Sequence, residues 1–215
     1  MTENSWLVPV KNSLTIAFSA SLLALSIALP LAYFLWRYRV FYARALFTLG
    51  ISPFILPPVI TALGFLSFWV TVGFYGQMMA TVISHAIFFV TLPLVTVSLG
   101  FESIDHEIVE AVETMGANAG TVFGTVIFPM IRPYMISGYA FAFVLSLNEY
   151  IVAYMVAGFT VETLPIKIFN SLRYGYTPVM AAVSVVFVLL AALIFGLIGR
   201  FGDLPRLLGA LSPEE

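Results

Sequence analysis

Polar and apolar positions do not alternate along this chain; apolar residues run together in long blocks separated by a few charges. After Lys11 no charge occurs until Arg37, which marks a first block at Ser13–Trp36. Between Arg44 and Glu102 lie 57 uncharged residues, too many for one membrane span of about 20 residues and enough for two. Gly73-Phe74-Tyr75-Gly76-Gln77 supplies the turn between them, giving spans at 46–72 and 78–100. A fourth block covers 133–157, interrupted by the single carboxylate Glu149, and a fifth covers 178–199. Each block is long enough to cross as a helix, which satisfies its backbone polar groups internally, whereas a membrane β-barrel would show alternating segments of about 10 residues. The predicted fold is all-α: a polytopic membrane protein with about five transmembrane helices.

Composition narrows the function. With 61% hydrophobic and 9% charged residues, the chain lies far from the average soluble domain, at about 25% charged, which excludes a soluble enzyme. A net charge of −2 leaves no basic surface to neutralise phosphates, which excludes nucleic acid as a partner. No cysteine is present, so thiolate metal sites, disulfides and cysteine nucleophiles are excluded together. No G-x-x-x-x-G-K-[ST] phosphate cradle occurs, so energy from ATP has to come through a partner. His106-Glu107-x-x-Glu110 falls short of a zinc-protease motif by its second His and reads as a solvated helix end, so neither a metal site nor a catalytic residue is expected. A self-powered secondary transporter calls for paired intramembrane ionisable groups or internal repeats; a single Glu149 and no repeat speak against it. An intramembrane enzyme lacks its constellation.

Positive charge sets the orientation, since cytoplasmic loops carry the excess of Lys and Arg. Arg37, Arg39, Arg44, Arg132, Arg200 and Arg206 fall on one side, Lys11, Lys167 and Arg173 on the other. The expected layout is an external segment 1–12, one transmembrane domain 13–200 with an external loop at 158–177, and a cytoplasmic tail 201–215. MTENSWLVPVKN lacks the cationic start of a signal peptide.

One long cytoplasmic insertion, 102–132, holds Glu102, Asp105, Glu107, Glu110 and Glu113. Ser103 or Asp105 can cap a helix whose first turns are acidic, as the macrodipole favours. Ile104, Ile108, Val112 and Met115 form one apolar stripe. Gly116 supplies the C′ position, Asn118 caps a second helix through Thr121–Ile127, and Pro129 ends it. Interfacial helices usually carry cations on their polar face, so this acidic helical hairpin reads as a protein-docking element. Gly116, Gly120 and Gly124 are four apart, the spacing of a close-packing face.

Glu110-Ala111-Val112, then Gly116, then Val126-Ile127-Phe128-Pro129 resembles the "EAA" loop of ATP-binding-cassette importer permeases, E-A-A-x3-G-x9-I-x-L-P. The Glu, first Ala, Gly and Pro positions match; Val112, Val126 and Phe128 depart conservatively, and Gly124 and Thr125 stand where related loops often carry basic residues. Asn12-Ser13-Leu14, Arg37-Tyr38-Arg39, Ser52-Pro53…Pro57-Pro58, Ser146-Leu147-Asn148-Glu149 and Thr163-Leu164-Pro165-Ile166-Lys167-Ile168 are similar to the spermidine/putrescine branch. The resemblance implies a type I permease subunit in a bacterial inner membrane, partnered by two ATP-binding-cassette ATPase subunits, a second permease subunit and an extracytoplasmic substrate-binding protein. ATP and Mg would be used by the ATPase, with no cofactor on this chain. It implies 102–132 as the coupling loop, with Glu110, Ala111, Val112, Gly116, Ala117 and Pro129 contacting the motor. The implied cargo is a polyamine or another organic cation; relatives in the family also carry iron or organic and inorganic anions. The branch usually has one more N-terminal helix before Asn12-Ser13-Leu14, so this sequence reads as a shortened core or a fragment.

Other features stay open between alternative roles. Glu149, costly inside a span, is a pathway or gate carboxylate for a cationic substrate, a protonated or hydrogen-bonded group between helices, or a residue snorkelling outward, with Asn148 beside it. Pro53, Pro57 and Pro58 free the carbonyls of Leu49, Pro53 and Phe54, which line a pathway or form a static kink; Pro30 and Pro93 read as simple kinks. Thr163 can cap a helix through Arg173, with Leu164, Ile168 and Leu172 on one face, that either receives the binding protein or braces spans four and five. Thr177-Pro178 restarts the helix. His85 reads as packed against or bonded to a neighbouring helix.

Overall fold

A computed structural model describes residues 6–38, 41–173, 175 and 178–201. Arg39, Thr177, Arg206 and the expected tail beyond Phe201 lie outside the described residues, as do residues 1–5 of the expected external segment. Among those described, all regular structure is helical: α1 Leu7–Tyr38, α2 Phe41–Ile55, α3 Pro58–Val72, α4 Met78–Phe89, α5 Thr91–Glu102, α6 His106–Thr114, α7 Ala119–Val122, a π-helical turn Phe123–Ile127, α8 Phe128–Asn148, α9 Ile151–Ala157, α10 Leu164–Leu172 and α11 Pro178–Phe201.

The long helix α1 forms the axis of the molecule, packing against α4, α5 and α8. Its inner face is a column of small residues: Ser13, Ala17, Ala20, Ser21, Ala24, Ala28 and Ala32, all buried. Small side chains at such spacing let helix backbones approach closely, which is how helices associate where lipid is as apolar as leucine. The same device holds α5 to α8. A Cβ on Gly138 would lie 2.7 Å from the Pro93 Cα, and one on Gly100 would lie 2.8 Å from the Tyr134 ring. The bulky side chains of Leu94, Val97, Phe101 and Ile131 fill the space that remains.

Three of the expected continuous spans are broken, each for a local reason. The stretch 46–72 is divided into α2 and α3, which meet at 109°. Pro57, ahead of Pro58, takes an extended backbone at φ −54°, ψ 132°, because a residue before proline is pushed out of the α region. At about 1.5 Å per residue each 15-residue arm is about 22 Å long, short of the roughly 30 Å hydrocarbon core. The stretch 78–100 bends by 44° between α4 and α5, where the Pro93 ring crowds the carbonyl four residues back. The stretch 133–157 stops at Asn148 and restarts at Ile151. Pro129, expected to end a helix, instead sits in the first turn of α8, and one continuous helix runs Ala119–Asn148. The π turn makes this possible: the Phe128 N–H bonds back to the Phe123 carbonyl, so the ladder is re-registered just before the residue that lacks a donor.

Candidate functional site

At one end of the bundle the acidic segment folds into the expected hairpin. Asp105 Oδ1 accepts the Glu107 N–H at 2.9 Å and caps α6; of the two expected cap residues it is the one used. Gly116 adopts φ +89°, the left-handed conformation open to glycine at little cost. Its N–H bonds to Glu113 O at 3.0 Å and the Ala117 N–H to Val112 O at 3.3 Å, the paired bonds of a Schellman ending. Asn118 Oδ1 then accepts the Thr121 N–H at 2.9 Å and starts α7.

The apolar stripe differs from the expected one. Ile104, Val109 and Val122 are buried in the main core with Val112 packed against them, while Ile108 is exposed and Met115 is 86% exposed. A short helix between two turns rotates to bury what the core beneath it accepts, so Val109 replaces Ile108 on the inner face. The outer face is left with Glu107, Ile108, Glu110, Ala111 and Met115. Of the candidate coupling residues, Glu110, Ala111, Gly116 and Pro129 are exposed and Val112 and Ala117 half-buried. Gly116, Gly120 and Gly124 form no packing face: a Cβ on Gly116 or Gly124 would meet nothing within 4 Å, and one on Gly120 only its neighbour Asn118. The contacts that fasten the hairpin to α1 include an ion pair and two ring contacts, one of them Tyr33 edge-on to Phe123 at 5.8 Å. The Arg37 guanidinium pairs with Glu113 Oε1 at 2.8 Å, and the His106 ring stacks on Trp36 at 5.1 Å.

The second candidate group lies at the α8–α9 break. Glu149 Oε1 accepts the Val152 N–H at 2.8 Å and Oε2 the Ala153 N–H at 3.0 Å. Its side chain is 7% exposed and Oε2 lies 3.2 Å from His85 Nε2, an ion-pair distance but not in hydrogen-bond alignment. The other His85 nitrogen, Nδ1, shares a hydrogen bond with Ser146 Oγ at 2.8 Å. Of the roles open for Glu149, the contacts are those of a group bonded between helices and not of one reaching outward. Its carboxylate satisfies two N–H groups that the break would leave orphaned. Asn148 is exposed and donates to Val144 O in its own helix at 2.8 Å. Pro57 and Pro58 are exposed at the α2–α3 break and Pro53 is half-buried. The Leu49 carbonyl freed by Pro53 is taken by Ser52 Oγ at 2.8 Å, and the Gly50 carbonyl accepts Thr91 Oγ1 at 2.8 Å. α3 packs along α9 through Ala62, Phe65, Trp69, Val152 and Val156, which brings the two breaks onto neighbouring helices.

At the opposite end from the hairpin, α10 is tied to the start of α1. Ser13 Oγ accepts the Leu164 N–H at 2.8 Å, and Asn12 Nδ2 donates to Glu162 O at 3.0 Å. Thr163, the expected cap, holds the extended cap backbone but makes no side-chain cap bond; Ser13, distant in sequence, takes that place. Nor do Leu164, Ile168 and Leu172 form one surface face, since Leu164 and Ile166 are buried and Leu172 is exposed. Sequence reasoning missed Ser13 and the α1 alanine column, though small residues recurring at three and four positions from Ser13 to Ala32 carried the signal.

Comparison with known proteins agrees with this architecture. The family described as binding-protein-dependent transport system inner membrane component matches residues 20–203. The putrescine transport system permease protein PotI of Escherichia coli (strain K12) is 32% identical over 222 residues, covering 100% of this chain and 76% of that protein. The sulfate transport system permease protein CysT of Salmonella typhimurium is also 32% identical, over 211 residues, covering 89% of this chain and 76% of the relative. A solved structure described as inward facing conformations of the MetNI methionine ABC transporter superposes with a TM-score of 0.75 at 20% identity. It covers 93% of this chain and 97% of that one.

Proposed function

Because this chain belongs to the family of binding-protein-dependent transport system inner membrane components, and is thus a permease subunit of an ATP-binding-cassette importer and not an enzyme, we propose that its hairpin is the handle by which a separate ATPase drives transport. The observation that carries this is mechanical. The exposed acidic and apolar face of α6 is joined through the Gly116 turn to a helix that runs unbroken from Ala119 to Asn148. A displacement of the hairpin is therefore delivered along a rigid lever to the α8–α9 break. Glu110, Ala111 and Gly116 carry the docking, with Val112 and Ala117 setting the turn and Pro129 the root of the lever. ATP and Mg are used by two ATPase subunits; a second permease subunit completes the path, and a binding protein delivers solute at the end marked by α10. The hairpin faces the cytoplasm of a bacterial inner membrane, with the chain crossing at 13–36, 46–72, 78–100, 133–157 and 178–199 and its breaks accommodated within those crossings.

The cargo is a polyamine, a reading supported by the name of the putrescine relative. The path follows the exposed proline break and Asn148. Glu149 acts there by holding the break open, since its carboxylate is spent on α9 and His85. The sulfate relative makes an anion the reading to test against. The assembled importer, reconstituted in proteoliposomes with its own binding protein, should hydrolyse ATP faster with putrescine or spermidine than without, and should not respond to sulfate. Stimulation by sulfate alone would overturn the cargo. Undiminished stimulation in Gly116→Val, with its turn distorted, would overturn the coupling role.

A further inference from the structure

A cavity of about 510 Å³ opens beside the hairpin, between the last turns of α1 and α5, the first turns of α2 and the lead into α6. Two opposite charges line it, Arg44 from α2 and Glu102 from α5. Among the described residues neither charged side chain makes an ion pair or hydrogen bond with the other or with any third group. Ser98, also in the wall, has a buried hydroxyl with no partner. Trp36 and Phe47 make much of the remaining surface apolar, and His106 closes one side while stacked on Trp36. Volumes of this order hold small ligands, and a few convergent polar groups in an apolar wall are what such sites use.

The chemistry of the wall defines the occupant. A purely anionic group would gain Arg44 and be repelled by Glu102; a cation would meet the reverse. A zwitterion satisfies both charges at once. The cavity lies where α1 reaches Arg37, its next charge after Lys11, and α5 reaches Glu102, the level at which a membrane chain leaves hydrocarbon and indole rings favour the interface. We propose that this cavity binds the phosphoethanolamine headgroup of a phospholipid, its phosphate on Arg44, its primary ammonium on Glu102 and its acyl chains along the Trp36 and Phe47 side. The Ser98 hydroxyl supplies a further hydrogen bond to the phosphate. Because the walls come from α1, α2, α5 and the start of α6, a bound lipid braces the hairpin against the bundle. This inference rests on the membrane placement of the family and not on the cargo or the docking role.

The test uses the full chain, stripped of lipid and offered phosphatidylethanolamine, phosphatidylcholine or phosphatidylglycerol with the same acyl chains, with retained lipid read by native mass spectrometry. A charge-assisted hydrogen bond from a primary ammonium is absent in choline and in glycerol, so phosphatidylethanolamine should be retained roughly tenfold better. Glu102→Gln should bring phosphatidylethanolamine down to the level of phosphatidylcholine, while Arg44→Gln should weaken both. Equal retention of the three lipids by the native chain would overturn the proposal, as would an unchanged preference in Glu102→Gln. Free phosphoethanolamine bound as tightly as the whole phospholipid would assign the cavity to a soluble ligand and overturn the lipid. If Arg44→Gln fails to fold, the native comparison and Glu102→Gln decide.

Discussion

A methyl group on Gly138 would meet the Thr96 hydroxyl and sit 2.7 Å from the Pro93 Cα, and a backbone atom cannot rotate aside. Gly138→Ala should therefore lower stability by about 1–3 kcal/mol, the usual cost of overpacking, seen as an earlier thermal transition of the purified protein. Gly64, also helical, has nothing within 4 Å of its hypothetical Cβ, so Gly64→Ala should leave stability unchanged or raise it by up to about 1 kcal/mol through helix propensity. Nothing in the residue type separates these two glycines; the difference lies in whether a neighbouring helix passes close by. Ser13 is a similar case. Its hydroxyl accepts the Leu164 N–H across 151 residues, and Ser13→Ala would leave a buried donor unpaired at about 1–3 kcal/mol. Faster hydrogen exchange at Leu164, with other amides unaffected, is the expected signature. A serine in an apolar helix signals only that some acceptor or donor waits nearby.

At the scale of elements, the two helix starts of the hairpin and the turn between them were the legible part. Asp105 and Asn118 cap α6 and α7 through 2.9 Å bonds, and Gly116 turns between them, because caps and left-handed turns are chosen by local chemistry. Gly116→Val places a β-branched side chain at φ +89° and should cost about 1–3 kcal/mol, read as loss of hairpin protection in hydrogen exchange while α1 remains protected. The breaks were less legible. Proline announces a kink, yet Pro57-Pro58 gives a 109° corner and Pro129 none, since a π turn re-registers the ladder ahead of it. The α8–α9 break carries no proline at all; its mark is Glu149, whose carboxylate holds two N–H groups of α9. Glu149→Ala removes that cap, worth about 0.5–2 kcal/mol, and leaves His85 facing an empty space. Glu149→Gln keeps one acceptor and should lose less; equal losses in thermal stability would show that the cap bonds do not hold the break.

For the molecule as a whole, α1 joins the two ends. Ser13 and Asn12 grip the α10 region at one end and Arg37 pairs with Glu113 of the hairpin at the other. The Arg37–Glu113 pair is about one-third exposed on each side, and such surface pairs contribute only about 0–1 kcal/mol. Arg37→Gln should thus leave thermal stability nearly unchanged; a large loss would mean that the pair bears more of the hairpin's attachment than the Trp36–His106 stack and the buried Val109 do.

Membrane residence, helical class, the hairpin's caps and the match to the importer loop could all be read from residue order, because each depends on composition or on groups within a few positions of one another. Which face of α6 turns outward, that Glu149 faces His85, and that Ser13 serves α10 depend on partners tens to more than a hundred residues away. Those partners become neighbours only when the alanine column of α1 lets α4, α5 and α8 close around it. Apolar patterning specifies that such surfaces are buried; packing between backbones specifies against what.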